Sequence, residues 1–260
     1  MLCKRARYLV ANEGNSIVSE RRPAIADNAT IADKVLIEDD SVIIREGARI
    51  DMGAIIGRGV EIGQSAWVRA GAVVLRSVPS YAIVEGNPAQ VVGYVATSDR
   101  AARGEARLID PQDYRDRDRP TQIDLGVGGA KLFLMRNIRD PRGALTVGEW
   151  PSELPFAPAR YFAVYNVPSA ELRGEHAHKK CEQFLICAHG SARILLDDGE
   201  QRCEVTLDRP DIGVHMPAMI WGTQYRYSPD AVLLVFASRA YEAEDYLRSY
   251  DEFLAEKARA

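Results

Sequence analysis

Isoleucines stand six residues apart at positions 25, 31, 37 and 43, and the beat resumes with Ile50, Ile56, Ile62, Val68 and Val74. A helix repeats every 3.6 residues and a flat strand every two, so neither produces a period of six. A small or β-branched residue recurs four places on, at Ala29, Val35, Ser41, Ala54, Val60, Ala66, Ala72 and Val78. The pattern predicts a hexapeptide β-helix in which the large aliphatic of each hexad points into a triangular prism. Three hexads make one coil, so nine hexads predict about three coils. One position is out of step between Ile43 and Ile50, and it is expected as a bulge or loop within Arg45–Arg49. The Gly and Asp/Asn positions are expected at corners that need unusual backbone angles. The beat is lost after about residue 98. The chain is therefore read as a solenoid over 1–98, a linker over 99–121 and a second domain over 122–260.

Charge and cysteine usage exclude several classes. Residues 1–98 carry 11 basic and 11 acidic groups, and the remainder carries 22 and 26, which gives the net charge of −4. Neither half has the basic body expected of a nucleic-acid binder. The four cysteines, Cys3, Cys181, Cys187 and Cys203, form no CxxC pair and no dense framework. Reduced thiols and a cytoplasmic location are expected. No apolar run is long enough for a membrane span, and the N-terminal stretch lacks the apolar core of a signal peptide. The linker DRAARGEARLIDPQDYRDRDRPT alternates charge with few apolar residues and reads as solvated, with Leu108 and Ile109 able to start an edge strand.

From Ala130 the pattern becomes short apolar runs separated by turns, including KLFLMRNI, ARYFAVYNV, EQFLICAHG, SARILLDDG and AVLLVFAS. Such runs suit strands of four to eight residues, and Asp198-Gly199 is a hairpin signal. The fold class is thus mainly β: a β-helix followed by a sandwich or jelly-roll barrel. Tyr246, Tyr250, Phe253 and Leu254 fall at helical spacing and predict a C-terminal helix packed on the barrel. The chemical signal is RGEHAHK at 173–179. Two histidines at i and i+2 of a strand share one face, so His176 and His178 are expected on one wall. With Glu182 they could instead begin a metal site, which would want a further ligand from a later strand. His189 reads as an ordinary core or surface residue.

Two resemblances add to this reading. The stretch IGQSAWVRAGAVVLRSVPSYAIVEGNPAQVVGYV resembles the closing turns of hexapeptide sugar N-acetyltransferases of the left-handed β-helix type, down to the Gly86-Asn87-Pro88-Ala89 exit. That family implies a trimer with acyl-CoA held between subunits and a histidine serving as base. All four histidines here, His176, His178, His189 and His215, lie in the second half. Acetyl transfer is accordingly not expected, and the first half reads as a trimerising scaffold.

The second half resembles the sugar-nucleotide 3,4-ketoisomerases, a metal-independent cupin family. The matching residues run in order from Asp140-Pro141-Arg142-Gly143-Ala144-Leu145 through Leu154-Pro155-Phe156, Arg160-Tyr161-Phe162 and RGEHAHK. They continue through Leu196-Asp197-Asp198-Gly199, Trp221 and Asp245-Tyr246 to Tyr250-Asp251-Glu252-Phe253. The resemblance implies action on a dTDP-linked 4-keto-6-deoxysugar with no cofactor and no metal. Moving a carbonyl between adjacent carbons needs loss of a proton at C3, an enediol, and proton return at C4, for which imidazole is the natural base. His178 is expected as carbon base and His176 as its partner. Arg142, Arg160, Arg173, Lys179, Tyr165 and Trp221 are the expected substrate-binding groups. Two positions depart from the family pattern: Phe162-Ala163, where tyrosines are frequent, and Trp221-Gly222, where the family has Trp-His. The alternatives are a metal-dependent cupin enzyme holding an ion with His176, His178 and Glu182, and a non-catalytic nucleotide-sugar binding module. The resemblances also imply a homo-oligomer, a trimer through the β-helix and a dimer through the cupin, which together would close a hexamer.

Overall fold

A computed structural model describes residues 9–10, 23–95, 106–168 and 171–259. These form two compact units, the first ending at Val95 and the second running from Ala106.

In the first unit nearly every strand is two residues long, because each face of a narrow prism has room for little more. Ala24–Ile25, Ile43–Ile44 and Glu61–Ile62 stack in parallel on one face. Leu36–Ile37, Ile55–Ile56 and Val73–Val74 stack on the second, preceded by Leu9–Val10. Thr30–Ile31, Arg49–Ile50, Trp67–Val68 and Ala82–Glu85 form the third, closed by antiparallel Gln90–Tyr94. Ile43 pairs with Glu61 and Ile55 with Val73, eighteen residues on, which is one coil of three hexads. The prism interior holds Ile37, Ile44, Ile50, Ile56, Ile62, Val68 and Val74 with Val35, Val42, Ala48, Ala54, Val60 and Ala66. Each isoleucine buried this way contributes about 2–3 kcal/mol.

The irregular hexad lies one step earlier than expected. Ile44, not Ile43, is the inward isoleucine that follows Ile37, and Val42 rather than Ser41 is the second inward residue. The extra residue is taken up in the turn before them, where Ser41 binds Asp39 and accepts from the Gly59 amide at 2.8 Å. Two adjacent isoleucines fit the period equally well, and only the turn chemistry decides between them. The corner glycines Gly47, Gly53, Gly59 and Gly71 all have φ near +70°, and Ser65 at φ +52° fills the same place in its coil.

The second unit is a barrel of two six-stranded sheets. One runs, in spatial order, Arg107–Ile109, Arg202–Leu207, Ala192–Asp197, Trp221–Tyr225, Arg173–His178, Tyr246–Leu247; the other runs Thr121–Asp124, Lys131–Leu134, Ile212–Met216, Gln183–His189, Val232–Ala237, Arg160–Tyr165. Between them lies a core that includes Leu132, Leu134, Leu185, Cys187, Ile194, Leu196, Val205, Val214 and Val235. Part of the expected linker belongs to this unit. Arg107–Ile109 pairs in parallel with Cys203–Val205, and Pro111–Tyr114 forms a short 3-10 turn capped by Asp110. An exposed sheet edge draws Leu108 and Ile109 in despite the charged neighbours. Residues 99–105 of that linker, and Cys3, lie outside the described residues.

The C-terminal helix is shorter than its spacing suggested. It spans Tyr250–Lys257, with Ser249 as N-cap accepting from the Glu252 amide. Tyr246 is not on it: Tyr246–Leu247 is a strand paired with Ala177–His178. Phe253 is fully buried against Ala177, Trp221 and Leu247. Beneath the helix, Asp197 binds the Arg202 guanidinium and accepts from the Tyr250 hydroxyl at 2.8 Å. Among the described residues no helix is long and apolar enough to cross a membrane.

Candidate active site

The histidine strand carries a built-in irregularity. Gly174 (φ +82°) and Glu175 (φ +55°) both adopt the left-handed conformation, and the pairing register to Trp221–Tyr225 shifts between Gly174 and His176. A β-carbon on Gly174 would lie 2.7 Å from the Gly222 carbonyl oxygen, so only glycine fits that step. Glu175 pays the left-handed strain that an ordinary side chain incurs there, and burial raises its carboxyl pKa. Beyond the bulge the strand resumes its alternation. Ala177 packs outward under the helix with Trp221 and Phe253, so His176 and His178 face the other way, into the barrel.

His178 is almost fully buried. Its Nδ1 lies 2.9 Å from Asp245 Oδ2 and its Nε2 lies 3.0 Å from the Gln183 side-chain nitrogen. An amide nitrogen can only donate, so Nε2 accepts and Nδ1–H is given to the carboxylate. Asp245 is fixed in turn by the backbone amides of Lys180 (2.8 Å) and Cys181 (3.2 Å). Burial first, and the neighbouring His176 second, push the His178 pKa down to about 4 against the opposing pull of Asp245. His176 is less enclosed, and burial also lowers its pKa. Both rings are therefore neutral near pH 7, the state a base requires.

Tyr246 stands opposite His178 across the strand pair. Its ring centroid is 4.3 Å from that of His178 and 5.0 Å from that of His176, and the two imidazoles meet edge to face at 5.1 Å. Arg160 Nη2 donates to the Tyr246 hydroxyl at 3.2 Å. Arg248 lies over the same ring at 4.4 Å. The arrangement offers neutral imidazoles, a phenol and two guanidinium groups on one wall, a set suited to moving protons and holding a developing oxyanion.

The other expected residues divide. Arg160 joins the histidines through Tyr246. Trp221 does not: it lies on the outward face, 5.2 Å from the Tyr250 ring and 5.8 Å from Phe253. Tyr165 is on the outward row of its edge strand and exposed. Strand parity accounts for both, because a tryptophan between turn and strand and a tyrosine in an alternating run can each occupy either face. Arg142 sits at the turn of the Arg136–Asp140/Gly143–Val147 hairpin and is paired with Asp140 at 2.6 Å. Arg173 and Lys179 flank the histidine strand with exposed side chains. Glu182 leaves the alternative metal set altogether, since it binds His215 Nε2 at 2.7 Å. His178, Cys181 and Asp245 do bring possible ligand atoms within 4.8 Å of one another, but the carboxylate there is already occupied by three N–H donors.

Four groups of this site were not among the expected site residues: Gln183, Arg248, Asp245 and Tyr246. The last two stood in the pattern of the resemblance, but nothing local says that a segment 67 residues downstream of His178 returns beside it. Gly222 is also explained. It pairs with His176, and a β-carbon there would meet Met216 Sδ at 2.8 Å. Met216 thus fills the space that a larger side chain would need.

Comparison with known proteins bears on this second unit. A protein-family model, FdtA (WxcM-like, C-terminal), matches residues 128–258. TDP-4-oxo-6-deoxy-alpha-D-glucose-3,4-oxoisomerase of Aneurinibacillus thermoaerophilus is 40% identical over 123 residues, which is 47% of this chain and 88% of that protein. A variant of the 3,4-ketoisomerase QdtA from Thermoanaerobacterium thermosaccharolyticum, solved in complex with TDP-4-keto-6-deoxyglucose, is 31% identical, with a TM-score of 0.50 over 51% of this chain and 96% of that one. The WlaRB TDP-quinovose 3,4-ketoisomerase from Campylobacter jejuni is 40% identical over 50% of this chain and 99% of that one, with a TM-score of 0.48. With a family model covering half of its length and a relative matched over most of that protein's sequence, the chain belongs to the FdtA family, WxcM-like, C-terminal.

Proposed function

We propose that the barrel is a sugar-nucleotide 3,4-ketoisomerase, moving the ketone of a dTDP-linked 4-keto-6-deoxyhexose from C4 to C3. The observation that carries the reading is the inward pair of neutral imidazoles, beside a phenol and Arg160, in a barrel that is 40% identical over 123 residues to a 3,4-oxoisomerase. A base removes the C3 proton, the electron pair forms the C3–C4 double bond of an enediolate, and the proton returns at C4. The exchange is internal to the sugar, so no outside oxidant is consumed. His176 is assigned the carbon proton. His178, expected in that role, has both ring nitrogens engaged by Asp245 and Gln183, and its part is to fix the edge against which His176 packs. Arg160, bonded to the Tyr246 hydroxyl, is assigned the stabilisation of the enediolate.

The solenoid, which has no histidine, is assigned to assembly rather than acetyl transfer. A trimer through its faces and a dimer through the barrel edge, where Tyr161 and Tyr165 are exposed, would give a hexamer. The free buried thiols of Cys181, Cys187 and Cys203 support a cytoplasmic setting. The test of function is direct. Purified protein given TDP-4-keto-6-deoxyglucose in D₂O is expected to exchange the C3 hydrogen of the returned substrate for deuterium and to form a 3-keto product labelled at C4. No exchange with this or other nucleotide-linked 4-ketosugars would reject the assignment. Light scattering that finds a monomer at micromolar concentration would reject the assembly.

A further inference from the structure

We propose that Tyr246 is the group that carries the hydroxyl proton, handing it to the oxygen at C4 and taking it from the oxygen at C3. The inference rests on the ketoisomerase reading and adds to it a second proton carrier, separate from the carbon base.

The reaction moves two hydrogens. One travels between carbons and is assigned to His176. The other leaves the C3 hydroxyl and ends on the C4 oxygen. His178 is poorly placed for it, because Nδ1–H is given to Asp245 and Nε2 accepts from Gln183. Tyr246 is well placed. Its ring touches both imidazoles, and its oxygen accepts from Arg160 Nη2 at 3.2 Å. An oxygen that accepts from a guanidinium keeps its own O–H to give, and among the described residues no acceptor takes it. Phe162, on the inward row of its strand with Arg160 5.5 Å from its ring, has no hydroxyl to offer. Tyr241 stacks on Tyr246 at 5.5 Å but touches neither imidazole.

The step balances. His176 takes the C3 proton as the C3–C4 double bond forms, and the phenol protonates the C4 oxygen to give the enediol. The phenolate then takes the C3 hydroxyl proton as the C3 carbonyl forms, and protonated His176 delivers its proton to C4. Both side chains end as they began.

The experiment uses the full chain carrying Tyr246→Phe, which keeps the ring against both imidazoles and removes only the hydroxyl. Ketone transfer and C3 deuterium uptake from TDP-4-keto-6-deoxyglucose are followed together in D₂O, with TDP affinity as the check on folding. Transfer is expected to fall by about 100-fold or more, the usual weight of a general acid–base group. TDP affinity stays within about threefold. The ratio of exchange to transfer rises, because an enediolate without its proton carrier returns to starting ketone more often than it goes forward. Transfer that falls less than about tenfold, a loss matched by loss of TDP binding, or an unchanged ratio would each overturn the role. A wild-type protein inert towards every 4-ketosugar tried brings down the ketoisomerase reading itself, and this proposal with it. An active wild type with an unimpaired variant removes only Tyr246.

Discussion

Among the described residues the barrel has three imidazole–carboxylate pairs; His189–Asp230 is exposed, and the other two are nearly twins by distance. His178 lies 2.9 Å from Asp245, and His215 lies 2.7 Å from Glu182. Their surroundings differ. The first pair faces inward, with the carboxylate held by two backbone amides and the ring next to His176 and Tyr246. The second is on the outer face of the other sheet, with His215 about 6 Å from the rings of Phe133 and Phe156 and Glu182 partly open to water. An imidazole beside a carboxylate is therefore not a site by itself. The face of the sheet decides what else can gather there.

The sharpest test of this contrast is in rate. His176→Asn is expected to lower ketone transfer by about 10²–10⁴-fold with TDP affinity kept, whereas His215→Asn leaves transfer within about threefold. Comparable losses from the two variants, in steady-state assays, would break the distinction between the faces.

Next is stability. Asp245→Ala leaves a buried imidazole and two backbone amides without their acceptor, and chemical denaturation is expected to show a loss of about 3–5 kcal/mol. Glu182→Ala, whose carboxylate is partly hydrated, is expected to cost about 1 kcal/mol or less. Equal costs would mean that burial does not separate the pairs.

The pH dependence follows with a somewhat smaller effect. The folded-state pKa of His178 is depressed to about 4, below the roughly 6.5 of an unfolded chain. Between those values the unfolded state binds the extra proton, so stability is full above about pH 6.5 and lost as pH falls towards 4, by up to about 3 kcal/mol. Thermal melts from pH 7 to pH 4 should show the decline, and His178→Asn should flatten it. A His178→Asn protein with the wild-type slope would place the acid sensitivity elsewhere. For the same reason the acid limb of activity, set by the neutral form of His176, is expected below pH 6.5.

The smallest effect belongs to the outer face. Ser249→Ala removes the cap of the helix that covers Trp221 and should cost about 1 kcal/mol with no change in the pH profile of activity. A changed profile would show that the outward face communicates with the histidines.

How much of this was legible in the sequence depends on the range of the interaction that sets each feature. The prism was readable because a solenoid repeats one local rule, and only the Ile43/Ile44 ambiguity misplaced its extra residue by a step. The histidine pair was readable because i and i+2 share a face on any strand. The resemblance supplied the reaction and pointed to Arg160, and the spacing of aromatic residues found the helix while wrongly including Tyr246.

The sequence by itself determined the two-part architecture, the family and the imidazole wall, since period, alternation and motif order are properties of neighbouring residues. Tertiary structure alone decided that both ring nitrogens of His178 are engaged, by Asp245 and Gln183. It also decided that Trp221 and Tyr165 turn outward, that Glu182 leaves for His215, and that Tyr246 returns to the wall. Those outcomes depend on a one-residue bulge at Gly174-Glu175 that sets the facing of His176. They depend equally on contacts between residues 67 and 86 positions apart, His178 with Asp245 and Arg160 with Tyr246. No local pattern encodes either, because a strand's facing and its distant partners are fixed only when the sheets close on each other.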